Sequence, residues 1–149
     1  IAAPRLFVVD DPAANLFCVG LDARRSSMVV TSGLVDQLDP IELEGLLAQQ
    51  LVHVQNLDIL PATVAVAYPP LRARLDAERE LRADRSAIRI TRYPPGLIAA
   101  LEKVRATRPL TTSPTANAVT HLWTVPPGAG GGDAAADLLD LRIDVLNET

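Results

Sequence analysis

Residues 39–58 read DPIELEGLLAQQLVHVQNLD, and this stretch decides the fold. Asp39 is a favoured N-cap residue, Pro40 suits the first helical position, and Glu42 completes a capping box. Beyond these residues, apolar side chains recur at the spacing of a helix: Leu43, Leu46, Leu47, Leu51 and Val54. The pattern predicts a largely buried helix over residues 41–56.

Three short apolar runs with strand character precede this helix: Arg5–Val9, Leu16–Val19 and Ser27–Thr31. The turn signal Asp11-Pro12 separates the first two runs, and Ser32-Gly33 ends the third. Because the runs are close together in sequence, antiparallel pairing is the simplest arrangement. The first third of the chain is therefore predicted to form a small antiparallel sheet.

The rest of the chain is predicted to be helical with breaks. Pro61 and the run Tyr68–Pro70 interrupt it, and residues 107–133, which include three consecutive glycines, are expected to be irregular. The predicted helices are a charged one at Leu71–Arg92, a short one at Gly96–Ala106, and a last one capped by Asp133 and ending near Leu146.

Composition limits the classes of protein that this chain can belong to. Its 149 residues, 48% of them hydrophobic, suffice for one domain with a buried core. A formal net charge of -4 gives no electrostatic reason to expect nucleic acid. Cys18 is the only cysteine, which excludes an internal disulfide and a thiolate metal cluster. No run approaches the roughly 20 apolar residues that span a bilayer, so residues 1–149 are predicted to form a single soluble domain.

The helix of residues 39–58 carries the segment with chemical content. In zincin peptidases, H-E-x-x-H places two histidines on one helical face to hold zinc, with the glutamate as general base. Here the corresponding residues are Gln49, Gln50 and His53, so that only the second histidine is present. A single histidine on an apolar helix is usually structural, and this segment alone therefore indicates little.

Six segments, in order along the chain, match motifs of one family: Asn15–Gly20 (N-A-F-A-x-G), Thr31–Leu34 (T-x-G-L), Asp39–Leu47 (D-x-x-E-L-x-G-V-L), Asn56–Asp58 (N-x-D), Arg79–Asp84 (R-E-x-x-A-D) and Leu141–Ile143 (R-I). They resemble the soluble domain of the HtpX and CAAX-prenyl-endopeptidase family, the membrane-linked gluzincin zinc metallopeptidases. The resemblance covers most of the chain. It implies an α+β zincin domain of minimal gluzincin type, in which the small sheet packs on the motif helix and a second ligand-bearing helix.

The resemblance also implies roles for individual residues. His53 would be a zinc ligand and Glu80 the carboxylate ligand. Asp84, four residues after Glu80 and on the same helical face, would orient His53 by accepting a hydrogen bond. Gln49 stands at the position of the lost first histidine ligand, and Gln50 at the position of the lost general base.

These departures bear directly on catalysis. An amide oxygen is a poor zinc donor beside an imidazole, and an amide side chain cannot take a proton from zinc-bound water near neutral pH. The late His-Pro that the family often carries is also missing, since residues 133–140 contain no histidine. His121, the only other histidine, is interpreted as structural. We therefore expect no metal cofactor and no proteolysis.

Three functions are compatible with the sequence. The first is an inactive metallopeptidase-like domain with a peptide-binding, protein-binding or regulatory role, for which the strand at Met28–Thr31 could add a peptide strand. The alternative is an active zinc metalloendopeptidase that uses His53, Glu80 and a non-standard third ligand. A third is a structural cap on a membrane-embedded partner region. The resemblance further implies a membrane-anchored protein with this domain on the cytoplasmic side, attached through segments outside this chain, and the oligomeric state stays open.

Overall fold

The computed structural model describes residues 2–75, 77–107, 120–124 and 134–149. The strands come first and the helices follow: β1 (Arg5–Val9), β2 (Leu16–Gly20), β3 (Ser26–Thr31), α1 (Ser32–Gln37), α2 (Pro40–Gln55), α3 (Ile59–Ala67), α4 (Ala77–Thr91), α5 (Pro94–Ala106) and α6 (Ala134–Asn147). Short 3-10 turns lie at Ala23–Arg25, Pro69–Arg74 and Thr120–Leu122. The predicted α+β class is confirmed.

The three strands form one mixed sheet in the order β1-β3-β2. β2 and β3 pair antiparallel as predicted, but β1 and β3 pair parallel, and the prediction of a wholly antiparallel sheet is wrong. After β1 the chain crosses the end of β3 before it returns as β2. Gly33 permits this crossing, because its N–H donates to the Asp11 carbonyl at 2.9 Å and a Cβ there would lie 2.1 Å from the Pro12 oxygen.

This strand order changes which edge of the sheet is open. β3 lies in the middle and is paired on both sides, so the prediction that Met28–Thr31 could accept a peptide strand is wrong. On the outer side of β2, the Thr124 N–H donates to the Leu16 carbonyl at 3.0 Å, and the Gly20 N–H donates to Thr63 Oγ1 at 2.9 Å. Within the part of the chain that the structure describes, β1 pairs with β3 alone, and all five of its residues are exposed.

The helix α2 forms as its local signals predict. The Asp39 side chain accepts from the N–H groups of Ile41 and Glu42 at 2.9 Å, and Glu42 accepts in return from the Asp39 N–H. The helix then runs from Pro40 to Gln55. Gly45 lets α5 approach closely, because a Cβ there would lie 2.9 Å from the Leu97 nitrogen.

The core lies where the sheet, α2, α5 and the two helices α4 and α6 meet. Aliphatic side chains fill it, as the low aromatic content requires. The largest fully buried aliphatic side chains are Leu16, Leu34, Leu46, Val54, Leu97, Leu101, Val104 and Leu146. Because α2 packs against both α4 and α5, polar residues on its inner face are held between helices.

Some predicted boundaries shift. Pro61 does not break the chain, because it lies in the first turn of α3, where no intrahelical N–H is needed. The predicted charged helix is divided into the 3-10 turn at Pro69–Arg74 and α4. The irregular segment predicted for 107–133 lies mostly outside the described residues. Asp133, the predicted cap of the last helix, also lies outside them. None of the helices in the described ranges is long and apolar enough to cross a membrane.

Candidate functional site

Gln49, His53 and Glu80 meet at one point between α2 and α4. Gln49 and His53 lie one turn apart on the same face of α2, and Glu80 projects from the N-terminal part of α4. Gln49 Nε2 lies 2.9 Å from His53 Nε2 and 3.0 Å from Glu80 Oε2. The distance between His53 Nε2 and Glu80 Oε2 is 3.2 Å. The three residues at which the resemblance places zinc ligands therefore converge.

The direction of the Gln49 amide is fixed by its neighbours. The Glu80 carboxylate only accepts hydrogen bonds, so the nitrogen of Gln49 faces it and donates. The oxygen of Gln49 accepts from Gln50 Nε2 at 2.8 Å. Gln49 is completely buried and presents an N–H donor to the centre of the site, where a zinc ligand would present a lone pair.

Gln50 links this cluster to the sheet. Its nitrogen also donates to Thr124 Oγ1 at 3.2 Å, and that hydroxyl donates to the Leu16 carbonyl at 3.1 Å. Gln50 is buried, and both of its hydrogen-bond partners are acceptors that an amide N–H can satisfy. The residue at the position of the general base therefore takes part in a neutral hydrogen-bond chain from β2 to Glu80.

The orientation of His53 comes from Asp58, not from Asp84 as predicted. His53 Nδ1 lies 3.1 Å from Asp58 Oδ2 and donates its N–H to that carboxylate. A Schellman-type turn ends α2: Leu57 has φ 60°, and the Asp58 N–H donates to the His53 carbonyl at 2.9 Å. This turn brings Asp58 back over the ring. The N-x-D match contained this residue, and its place just after the helix was the available signal.

Asp84 contacts a residue that the sequence left without a role. Arg142 on α6 donates two hydrogen bonds of 2.7 Å to the Asp84 carboxylate, and both residues are 1% exposed. Such a forked pair directs the carboxylate toward α6 and away from His53. Arg142 Nη1 also lies 3.6 Å from Glu80 Oε2, so α6 contacts the carboxylate at which α2 and α4 meet.

The charges around the site favour an ion pair between His53 and Glu80. Burial opposes the charge on His53, but Glu80 and the hydrogen bonds to Asp58 and Glu80 outweigh it and raise the pKa of His53 above its usual 6.5. Burial likewise opposes ionisation of Glu80, yet His53 and the guanidinium groups of Arg142 and Arg79 hold the pKa of Glu80 far below its usual range. Arg79 Nη2 is 3.1 Å from Glu80 Oε1.

His121 lies at the same cavity but faces elsewhere. Its Nε2–H donates to the Ala62 carbonyl at 2.8 Å, which agrees with the structural role expected for it. The cavity between His121, His53 and Glu80 measures about 30 Å³. That volume accommodates water but no side chain of a bound peptide.

The residues present do not fit the catalytic zinc site of a peptidase. Such a site uses three protein ligands and keeps a fourth position for water. Among the described residues, no group of three or more His, Cys, Asp or Glu side chains is placed to hold a metal ion. At the point of convergence only His53 and Glu80 carry the donors that zinc prefers, and Gln49 donates an N–H group to Glu80.

Comparison with known proteins gives the family. No family model matches the chain, and no solved structure matches it significantly. Proteins named Protease HtpX homolog do match. The one from Dictyoglomus thermophilum is 32% identical in an alignment 148 positions long, which covers 70% of this chain and 49% of the relative. The one from Tropheryma whipplei is 30% identical and covers 80% of this chain and 56% of the relative.

A third relative, from Levilactobacillus brevis, is 28% identical over 74% of this chain and 54% of its own length. The chain thus spans about half the length of the curated relatives it matches. The matches agree with the order of motifs and with the convergence of Gln49, His53 and Glu80. On this evidence the chain belongs to the HtpX family.

Proposed function

We propose that this chain is a catalytically inactive metallopeptidase-like domain that serves as a peptide- or protein-binding module. One observation carries the proposal: the amides of Gln49 and Gln50 form a continuous hydrogen-bond network with Glu80 where a peptidase needs a ligand and a base. Within that network the nitrogen and the oxygen of Gln49 and the nitrogen of Gln50 already have protein partners. Proteolysis would require some of these partners to be exchanged for a metal ion and a water molecule.

The loss of the base weighs most heavily. In a metal-assisted hydrolysis, a carboxylate takes the proton of the attacking water, and an amide has no basicity for this step. Metal and base act as one unit, so losing either removes most of the rate. Gln50 is buried, and its nitrogen donates to Gln49 and Thr124. Among the described residues that line the small cavity, the carboxylates are Glu80 and Asp58.

A binding role is supported by the open edge of the sheet. No described strand pairs with the outer side of β1, and Leu6, Phe7 and Val8 are each more than half exposed. An extended peptide can add to such an edge through main-chain hydrogen bonds, with alternate side chains contacting the apolar strand. This replaces the middle strand β3 as the place where strand addition is expected.

The alternative, an active zinc metalloendopeptidase, has one observation in its favour. His53 Nε2 and Glu80 Oε2 lie 3.2 Å apart and face the same cavity, so two zinc donors stand together. A third ligand would have to come from elsewhere. His121 lines the cavity, but its Nε2–H is used by the Ala62 carbonyl.

Metal content and hydrolysis separate the two functions. For protein purified without chelators, we expect far less than one zinc per chain and no cleavage of unfolded casein. The double variant Gln49→His/Gln50→Glu should bind about one zinc per chain, because it completes a set of three ligands. Adding Glu80→Gln to that variant is the matched control and should remove the metal.

Two results would contradict the proposal. Stoichiometric zinc together with casein cleavage by the unaltered chain would establish the active enzyme. Failure of the double variant to bind zinc, with its fold intact by circular dichroism, would instead show that His53 and Glu80 do not form the remains of a zinc site.

A further inference from the structure

The two helices that the buried pair of Asp84 and Arg142 joins expose opposite charges. The acidic residues of α4 are Glu78, Glu80 and Asp84. Two of them face the interior, since Asp84 pairs with Arg142 and Glu80 belongs to the altered site. Glu78, in the first turn, is the exposed one. Beyond its first turn, the outward side of α4 is therefore basic.

The basic residues on this side form a row. Arg82, Arg85 and Arg89 are exposed, and their spacing of three and then four residues places them on one helical face. Arg92, just beyond the end of α4, is exposed as well. From Arg82 to Arg89 the row is about 10 Å long, given the rise of an α-helix. We call these four residues the arginine row.

The helix α6 separates its charges in the opposite sense. Its only basic residue, Arg142, is buried. Asp137 and Asp144 are exposed and lie seven residues apart on one helical face, with the exposed Leu141 between them. Glu148, just beyond the end of the helix, is also exposed. We call Asp137, Asp144 and Glu148 the acidic row, whose helical part is also about 10 Å long.

Within the described residues, the two rows are not paired with each other. The ion pairs that join α4 to α6 in this part of the chain are those of Arg142 with Asp84 and Glu80. A further acid of α6, Asp140, pairs with Arg105 of α5. Because α4 and α6 are in contact, the rows together form one surface patch with a basic half and an acidic half.

We propose that this patch binds a second copy of this chain about a two-fold axis, with the arginine row of each protomer on the acidic row of its partner. A partner for such a patch has to carry both charges in the opposite order. A two-fold axis supplies that order, because the basic half of each copy then meets the acidic half of the other. The interface involves neither Gln49 and Gln50 nor β1, so it goes beyond the binding role proposed above.

The association is expected to be weak and dependent on salt. Ion pairs between exposed side chains contribute little each, because water and dissolved ions screen them. We expect a dimer at low ionic strength, with a dissociation constant that rises at least about tenfold between about 50 mM and about 500 mM sodium chloride. Sedimentation equilibrium at chain concentrations up to roughly 1 mM measures this constant.

Reversal of the arginine row tests one half of the patch. Arg82→Glu/Arg85→Glu/Arg89→Glu places acids against the acidic row of the partner, so this triple variant should dimerise at least about tenfold more weakly. The matched control is Arg5→Glu/Arg24→Glu/Arg25→Glu, which changes the net charge equally at exposed residues outside α4 and α6. It should lower the affinity far less.

Reversal of the acidic row tests the other half. Asp137→Arg/Asp144→Arg/Glu148→Arg should weaken dimerisation to a similar degree, because arginines then face arginines. The decisive sample is an equimolar mixture of this variant with the reversed arginine row. In both halves of a mixed pair an acidic row faces a basic one, so the mixture should regain the dimer. Recovery in the mixture also shows that both variants are folded.

Three results would overturn the proposal: a chain that stays monomeric at low salt, a dimer that neither triple variant weakens, and a mixture that does not associate. A monomer that co-sediments with vesicles of anionic phospholipid, and loses this binding on reversal of the arginine row, would assign the row to a lipid surface instead. None of these results affects metal content or casein cleavage, which test the proposed function separately.

Discussion

Two polar clusters meet on α4, one turn apart, and they are held in different ways. Asp84 is joined to Arg142 by two short, fully buried hydrogen bonds between opposite charges. Glu80 is surrounded by the amide of Gln49, the ring of His53 and two guanidinium groups. The first cluster joins α6 to α4, whereas the second gathers the residues that occupy the positions of the family's zinc site.

The largest effect is expected from breaking the first cluster. Arg142→Met leaves the Asp84 carboxylate buried without its partner, and removing one member of a buried ion pair costs about 3–5 kcal/mol of unfolding free energy. Urea denaturation followed by circular dichroism measures the loss. The matched control is Arg105→Gln on α5, which removes the exposed ion pair between Arg105 and Asp140 of α6. This change should alter the free energy of unfolding by at most about 1 kcal/mol.

A loss below about 1 kcal/mol for Arg142→Met would mean that the pair does not hold α6 in place. The comparison between the clusters would then fail, since both would be dispensable for the fold.

A smaller loss is expected from Gln49→Leu in the second cluster. This change removes a buried donor from Glu80 and an acceptor from Gln50, which costs about 1–3 kcal/mol. Gln55→Leu, at the exposed end of the same helix, is the control and should be close to neutral. The same denaturation experiment compares both variants with Arg142→Met. If Gln49→Leu proved as damaging as Arg142→Met, the second cluster would also be a structural element.

The smallest expected effect is on the pH dependence of stability, to which the two histidines contribute with opposite signs. Because the pKa of His53 is raised in the folded state, its contribution to stability is full below about 6.5, its ordinary value, and is lost as the pH rises through the folded-state pKa. Because the pKa of His121 is lowered, its contribution is present above about 6.5 and is lost as the pH falls.

Thermal unfolding between about pH 5 and pH 9 measures both slopes. His53→Gln should abolish the decrease in stability above neutrality, and His121→Gln should abolish the decrease on the acid side. A decrease above neutrality that persists in His53→Gln would show that another group carries it, and that the ion pair with Glu80 is not the cause.

The sequence predicted the altered site better than it predicted the partners of the site. Gln49 and His53 lie on one helix, so a spacing of four residues was enough to place them together. Asp58 was within reach of the same reasoning, because the turn after α2 is local. The partner of Asp84 was not, since Arg142 follows it by 58 residues and no local pattern relates the two.

What the sequence determined by itself is therefore the set of elements whose cause is local: the capping box that begins α2, the helical spacing of its apolar face, and the three strands. Only the tertiary structure decided that β1 runs parallel to β3, that β3 has no free edge, and that Asp84 turns to Arg142 instead of His53. The physical reason is that these outcomes depend on which distant groups compete for one position. A buried carboxylate pairs with the guanidinium that can donate two hydrogen bonds to it. The order of residues along the chain does not identify which arginine that is.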